Sequence, residues 1–96
     1  MVTPVLFRVE QSGQFKGDVT AVFPTLPGSP GCMTCYAHVG QHSSCAMAWY
    51  NTTRPAKAVE YASLLTELQS RGYDDLKICS RITRAMCDER NRAERE

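Results

Sequence analysis

The 96-residue sequence lacks both a long apolar run and a charge of one dominant sign. No segment approaches the roughly 18–20 consecutive apolar residues that a membrane-spanning helix needs. The 11 Lys and Arg residues nearly balance the 10 Asp and Glu residues, so the formal net charge is +1. This balance gives no electrostatic reason to expect nucleic acid or an anionic membrane as the main partner. From the length we expect a single domain and not a two-domain enzyme.

The sequence also lacks the marks of an exported, disulfide-bonded protein. No basic run followed by an apolar stretch occurs at the N-terminus, so we expect no secretory signal. The cysteine count is odd, which argues against a closed disulfide framework. We therefore expect free thiols in a cytoplasmic protein without a membrane association. The five cysteines are Cys32, Cys35, Cys45, Cys79 and Cys87.

Charged residues are absent from a run of 35 residues, 19–53, which we call the uncharged segment. The segment is rich instead in side chains that hydrogen-bond or stack, including Tyr36, His38 and Trp49. One interpretation is a hairpin buried on both faces, in which each polar side chain would need a buried partner. The other is an exposed face that contacts another molecule, because charge depletion with aromatic enrichment is typical of interface cores. The sequence leaves both interpretations open.

Alternation of apolar and polar residues predicts most of the secondary structure as strands. In the first strand Val5, Phe7 and Val9 share one face, while Arg8 and Glu10 lie on the other. Prolines and glycines between residues 24 and 31 predict a loop, and the residues from 40 to 43 predict a turn. The predicted strands cover residues 5–10, 19–23, 33–39, 45–50 and 76–82.

One helix is predicted over residues 56–71, where apolar residues recur at every third or fourth position before Gly72. The balanced charges of residues 84–96 predict a weak helix or a disordered tail after a domain over residues 1–83. The element order is therefore β-β-β-β-α-β. It indicates an α+β fold, an antiparallel sheet of four or five strands with one helix packed on one face.

The spacing of Cys and His residues between 32 and 45 raises the question of a zinc site. Two features argue against one. Cys32 and Cys35 are three residues apart on a predicted strand and point to opposite faces. All candidates also fall within fourteen residues, without a separate second pair. We therefore predict no cofactor and keep zinc as an alternative, with the ligands Cys32, His38, His42 and Cys45.

Catalysis and nucleic-acid binding are two further alternatives. A Cys–His nucleophile would require Cys35 or Cys45 beside His38 or His42, with a third group orienting the base, and the spacing does not demand this. Nucleic-acid binding would combine cations with aromatic residues on which bases stack. Its candidates are the cations Arg54, Lys57, Arg81 and Arg84 and the rings of Tyr36 and Trp49.

The string Tyr-Ala-His-Val-Gly-Gln-His at residues 36–42 is followed by Thr-Arg-Pro-Ala at 53–56 and Glu-Tyr-Ala-Ser-Leu-Leu at 60–65. On these residues, about two-thirds of the chain resembles a family of short uncharacterised proteins encoded by bacteriophages and other bacterial mobile elements. In that family the two histidines and the Gly-Gln between them belong to the pattern. The resemblance implies a mobile-element origin in a bacterial cytoplasm and carries no activity.

We therefore hypothesise a small non-enzymatic binding module. Its uncharged hairpin, residues 32–51, contacts a protein partner, which is a host or defence protein or a second copy of the chain. The alternatives are a zinc- or nucleic-acid-binding domain that uses the same hairpin and, third, a small Cys/His hydrolase-like enzyme. The residues predicted to contact the partner are Tyr36, His38, Gln41, His42, Trp49, Tyr50 and Arg54.

Overall fold

A computed structural model describes residues 2–37 and 41–95 of the chain. Within these residues the chain forms six strands and three helices. The strands are β1 (Thr3–Glu10), β2 (Val19–Pro27), β3 (Met33–Ala37), β4 (Gln41–Cys45), β5 (Thr53–Pro55) and β6 (Leu76–Ile78). The helices are α1 (Met47–Tyr50), α2 (Ala58–Ser70) and α3 (Arg84–Arg95).

The six strands form one sheet in the order β4-β3-β2-β1-β5, and β6 also pairs with β1. β5 lies beside the second half of β1 and β6 beside its first half, so both occupy the same edge of that strand. Among the described strands, only β6 pairs in parallel, with β1. Helix α2 follows β5 and carries the chain back, so that β6 runs opposite to β5 and parallel to β1. The predicted α+β class with an antiparallel sheet is confirmed.

Helices cover both faces of the sheet. On the first face, Phe7, Phe23 and Tyr36 pack against Leu64 and Leu68 of α2, and we call this the α2 face. The opposite side, the α3 face, carries a second apolar cluster, and α3 packs there against β2. Its buried members are Leu6, Val22, Met33, Cys35, Cys45 and Tyr50.

The prediction of one helix on one face is therefore wrong. Successive residues of a strand point to opposite faces, and in β2 residues 21–25 are all buried. Each face of such a strand needs its own apolar layer. Of the two outcomes predicted after residue 83, a helix forms. It is fixed to the β2–β3 connection, where the Gly31 N–H donates to the Glu94 carboxylate at 2.7 Å.

The predicted loop over residues 24–31 is wrong in its first half, because β2 continues to Pro27. Pro24 is fully buried within that strand. The register with β3 shifts between Phe23 and Pro27, which is the irregularity that a proline inside a sheet requires. Pro24 therefore lies at an irregularity within the strand and does not end it.

The predicted return strand over residues 45–50 is also wrong. β4 occupies Gln41–Cys45, where a turn was expected, and residues 47–50 form helix α1. Met47 and Tyr50, three residues apart, both pack on the α3 face, as one side of a helical turn requires. β5 was not predicted, β6 ends at Ile78 instead of residue 82, and α2 lies within two residues of its predicted bounds at both ends.

Candidate protein-binding edge

β4 is the outermost strand of the sheet and exposes most of its length. Gln41, His42, Ser43 and Ser44 are exposed, and only Cys45 is buried. Among the residues that the structure describes, no backbone hydrogen bond joins β4 to any segment other than β3. Because alternate backbone groups of an edge strand point away from the sheet, β4 presents an unpaired row of donors and acceptors. We call this row the β4 edge.

The position of β4 is fixed by its pairing and by one contact with the β2–β3 connection. It pairs with β3 in unbroken register from Met33–Cys45 to Ala37–Gln41. The Ser29 N–H donates to Ser44 Oγ at 2.7 Å. Gly28 makes this approach possible, because a Cβ atom there would lie 2.5 Å from the Ser44 Oγ atom. The β4 edge is therefore held in place while its outer side stays open.

On the α2 face, a shallow cleft of about 310 Å³ adjoins β4 and is lined by His42, Arg71, Gly72 and Tyr73. His42 Nε2 lies 2.9 Å from the Tyr73 hydroxyl. The His42 ring also meets the Tyr36 ring edge-on, with centroids 4.7 Å apart. Tyr73 follows α2 closely because Gly72, at φ +101°, turns the chain in a conformation that glycine tolerates. Sequence reasoning missed Arg71 and Tyr73, which lie about thirty residues from His42 and carry no local signal.

Tyr36, the centre of the predicted contact face, is fully buried. Its hydroxyl donates a hydrogen bond to the Glu67 carboxylate of α2. The prediction that Tyr36 is exposed is wrong, because α2 covers the face on which its ring lies. His38, the other residue predicted on that face, lies outside the described residues. For β2 and β3, the interpretation of the uncharged segment as a hairpin buried on both faces is therefore the correct one.

The side chains of Trp49 and Tyr50 also have partners within the chain. Trp49 is half-buried, and its Nε1–H donates to the Glu10 carboxylate at 2.5 Å. Tyr50 is buried, and the Arg8 guanidinium lies 4.1 Å from its ring centroid in a cation–π contact. Of the predicted contact residues described by the structure, Gln41 and His42 are the exposed ones.

Arg54 makes a bidentate ion pair with Glu60 at the start of α2. Its Nη1 and Nη2 atoms donate to the two carboxylate oxygens at 2.9 and 2.7 Å. The Lys57 N–H also donates to Glu60, at 2.8 Å. The hydrogen bonds from Arg54, followed by that from Lys57, lower the pKa of Glu60 from 4.5 to about 2. Arg54 therefore fixes β5 to α2 and is not a free cation for a ligand.

This ion pair makes acid stability depend on Glu60. Because the pKa of Glu60 is lower in the folded chain, its contribution is complete above about pH 4.5 and is lost as the pH falls towards 2. We expect the urea midpoint to fall more between pH 5 and pH 2.5 in the wild type than in Glu60→Gln. Glu89→Gln, an exposed position on α3, is the control and should behave as the wild type. An equal fall in Glu60→Gln and the wild type would contradict this assignment.

Two thiols meet on the α3 face. Cys35 pairs with Ser43 and Met33 with Cys45, so Cys35 and Cys45 are diagonal neighbours on adjacent strands. The neighbouring Cys45 thiol, together with hydrogen bonds from Ser43, lowers the pKa of Cys35 to about 6 despite its burial. The Cys35 thiol and burial raise the pKa of Cys45. Cys35 Sγ also lies 3.1 Å from Ser43 Oγ.

The predicted zinc and Cys–His alternatives do not assemble from the described residues. His42 lies on the α2 face with Tyr36, whereas Cys35 and Cys45 belong to the cluster on the opposite face. Within residues 2–37 and 41–95, no three His, Cys, Asp or Glu side chains are grouped to hold a metal. Of the residues predicted for nucleic-acid binding, Tyr36 is buried, Trp49 is half-buried and Arg54 is paired with Glu60, whereas Lys57, Arg81 and Arg84 are exposed.

Comparison with protein-family models, with curated proteins and with solved structures finds no match for this chain. None of the helices in the described ranges combines the length and apolar character needed to cross a membrane. The β4 edge and the neighbouring thiols of Cys35 and Cys45 are the features of this chain that suggest a function.

Proposed function

We propose that this protein is a small non-enzymatic binding module, and that an extended segment of a protein partner adds to its sheet along the β4 edge. The observation that carries the proposal is an edge strand with four of five residues exposed and no backbone partner on its outer side among the described residues. Strand addition uses such main-chain groups for affinity and alternate side-chain positions for specificity.

The β4 edge lacks the features that keep other edge strands from pairing. Charged residues, prolines and bulges are the usual means of blocking such an edge. β4 reads Gln-His-Ser-Ser-Cys and pairs with β3 without a shift of register. A strand without these protections is open to an incoming one, which supports strand addition over contact through the buried rings.

The cleft beside β4 supplies a place for one partner side chain. His42, Tyr73 and the exposed guanidinium of Arg71 line it. Arg71 lies 3.9 Å from Glu67, a loose ion pair that leaves guanidinium donors to the cleft. An acidic side chain of the added strand would fit this lining, because Arg binds carboxylates through a planar pair of donors.

The kind of partner follows from the resemblance to short proteins of bacteriophages and mobile elements. On that basis we propose a bacterial host or defence protein as the partner, met in the cytoplasm. The free thiols are consistent with a reducing compartment.

A second copy of the chain is the other candidate for the added strand. The observation that favours it is the absence of charge along β4, since like charges placed directly opposite across a strand pair destabilise it. Two copies of β4 can therefore lie antiparallel without electrostatic repulsion. Such a contact would be a two-fold symmetric dimer.

We expect Gln41→Lys to weaken partner binding at least about tenfold, or about 1.4 kcal/mol, because lysine on an edge strand opposes pairing. Gln69→Lys makes the same change on the exposed surface of α2 and is the matched control, with an expected change below about threefold. Affinity capture from the host with the full chain supplies the partner, and binding is then measured with purified components. Sedimentation velocity of the chain alone tests the second copy.

Hydrogen exchange decides whether the bound molecule lies on the β4 edge. The proposal requires that amides of residues 41–45 exchange more slowly in the complex or dimer than in the free monomer. Protection confined to another part of the chain, or equal binding by Gln41→Lys and the control, would overturn strand addition. A dimer that Gln41→Lys dissociates would identify the second copy as the occupant.

A further inference from the structure

A buried cation lies beside the thiol pair of the α3 face. Arg90 of α3 is 7% exposed, and its Nε and Nη1 atoms have no hydrogen-bond partner among the described residues. Its positive charge acts on Cys45, where it opposes the other influences that raise the pKa. A buried guanidinium without partners is costly unless negative charge stands near it. Cys45, on which this charge acts, is a group that can become negative.

Both cysteines also border a cleft. Cys35 and Cys45 are 4% and 7% exposed, and both line a cleft of about 320 Å³ together with Ser43 and Trp49. A small ion entering this cleft meets both cysteines, and the charge of Arg90 acts on Cys45. The cluster thus combines two soft ligands, an entry route and a compensating charge.

We propose that Cys35 and Cys45 form a two-coordinate site for Cu(I), with Arg90 balancing its charge. Thiolate ligands select soft ions such as Cu(I) over harder divalent ions. On binding, both S–H protons leave to solvent, two S–Cu bonds form and the copper stays in the +1 state. The two thiolates and one Cu(I) carry a single net negative charge, which the one guanidinium matches.

The geometry favours a bridging ion over the two other uses of paired cysteines. Diagonal neighbours in an antiparallel pair have Cα atoms roughly 7–8 Å apart, beyond the reach of a disulfide without backbone movement. Two metal–sulfur bonds of about 2.3 Å in line need sulfurs roughly 4–5 Å apart, a span that the side chains of diagonal neighbours can reach. Zinc requires four ligands, and the described residues provide no third or fourth group at this place.

The test is a titration of the reduced full chain with Cu(I) in the absence of oxygen, against bicinchoninate as a competing chelator. We expect one tightly held Cu(I) per chain, with a native mass that shows loss of two protons. Cys35→Ser and Cys45→Ser should each weaken binding more than about 100-fold. Arg90→Met should weaken it about 10–100-fold, as loss of a supporting charge does. Cys79→Ser and Cys87→Ser are the matched controls and should bind as the wild type.

A measurement on the wild type guards against variants that fail to fold. Cu(I) should protect Cys35 and Cys45 from alkylation by iodoacetamide, as mapped by peptide mass, while Cys79 and Cys87 continue to react. Binding that persists in both serine variants, or protection of Cys79 or Cys87 instead, would overturn the site. So would an equal loss in Cys32→Ser, which would make the site three-coordinate, or the formation of a Cys35–Cys45 disulfide in place of binding.

Discussion

Replacing Tyr36 with alanine is expected to lower the free energy of unfolding by about 3–5 kcal/mol, the range for a buried aromatic side chain. The ring is fully buried between the sheet and α2, in one cluster with Phe23, Leu64 and Leu68. Its removal leaves a cavity and takes the hydroxyl donor from Glu67. Urea unfolding of the purified variant, followed by circular dichroism, measures the loss.

Tyr36→Phe is the matched control, because it keeps the ring and removes only the hydroxyl. We expect it to cost about 1.5–3 kcal/mol, the effect of one hydrogen bond to a charged group. A Tyr36→Ala variant within about 0.5 kcal/mol of the wild type would mean that the ring is a surface residue after all. Because Tyr36 is a core residue, a loss of partner binding in Tyr36→Ala would report unfolding and not a contact.

Arg8→Ala is expected to cost roughly 3 kcal/mol, since it removes two hydrogen bonds from a buried guanidinium to Thr53 and its cation–π contact with Tyr50. Arg8 is 9% exposed, and its Nε and Nη2 atoms donate to the Thr53 hydroxyl and carbonyl oxygens at 2.8 and 2.7 Å. Its guanidinium also lies over the Tyr50 ring. These contacts hold β5 and α1 to β1, so the loss should appear as cooperative destabilisation in urea unfolding.

Two further substitutions give this prediction its control. Arg84→Ala removes an exposed arginine of α3 and should stay within about 0.5 kcal/mol of the wild type. Arg8→Lys keeps the charge but lacks the planar set of donors, so it should recover only part of the lost stability. A full recovery by lysine would show that charge alone, without the two hydrogen bonds to Thr53, is what the position requires.

The burial of Tyr36 also limits which surface can contact a partner. The rings that the sequence offered as contacts are mostly internal, since Tyr36 and Tyr50 are buried and Trp49 is half-buried. Among the strands that lie wholly within the uncharged segment, β4 is the exposed one, and its side chains are small or polar. The proposed binding mode therefore depends on backbone groups of one strand and on the cleft beside His42.

Much of the regular structure was predictable from local pattern. β1 and the first part of β2 follow an alternation that only Leu6 and Val22 interrupt, and α2 follows its apolar spacing and the glycine at its end. The boundaries around residues 24–31 and 41–50 were not predictable, because pairing with β3 and packing on the α3 face decided them. A short stretch such as 47–50 has too few residues for its own period to indicate helix or strand.

The sequence predicted where along the chain the candidate site lies, but not which distant residues surround it. Gln41 and His42 were among the residues expected to contact a partner, and both are exposed. The residues that complete the surroundings of β4, Ser29 and Tyr73, come from distant parts of the chain. Arg90, in a segment expected to be weakly ordered, reaches the thiol pair only because α3 packs on β2.

By itself, the sequence determined the α+β class, the principal helix and the unusual absence of charge over residues 19–53, because each depends only on local composition and periodicity. Only the tertiary structure decided what that absence means. Strand order placed β2 and β3 between two helical layers and left β4 outside. Burial is a property of neighbours that lie far apart along the chain, so the same uncharged segment supplies both the core and the open edge.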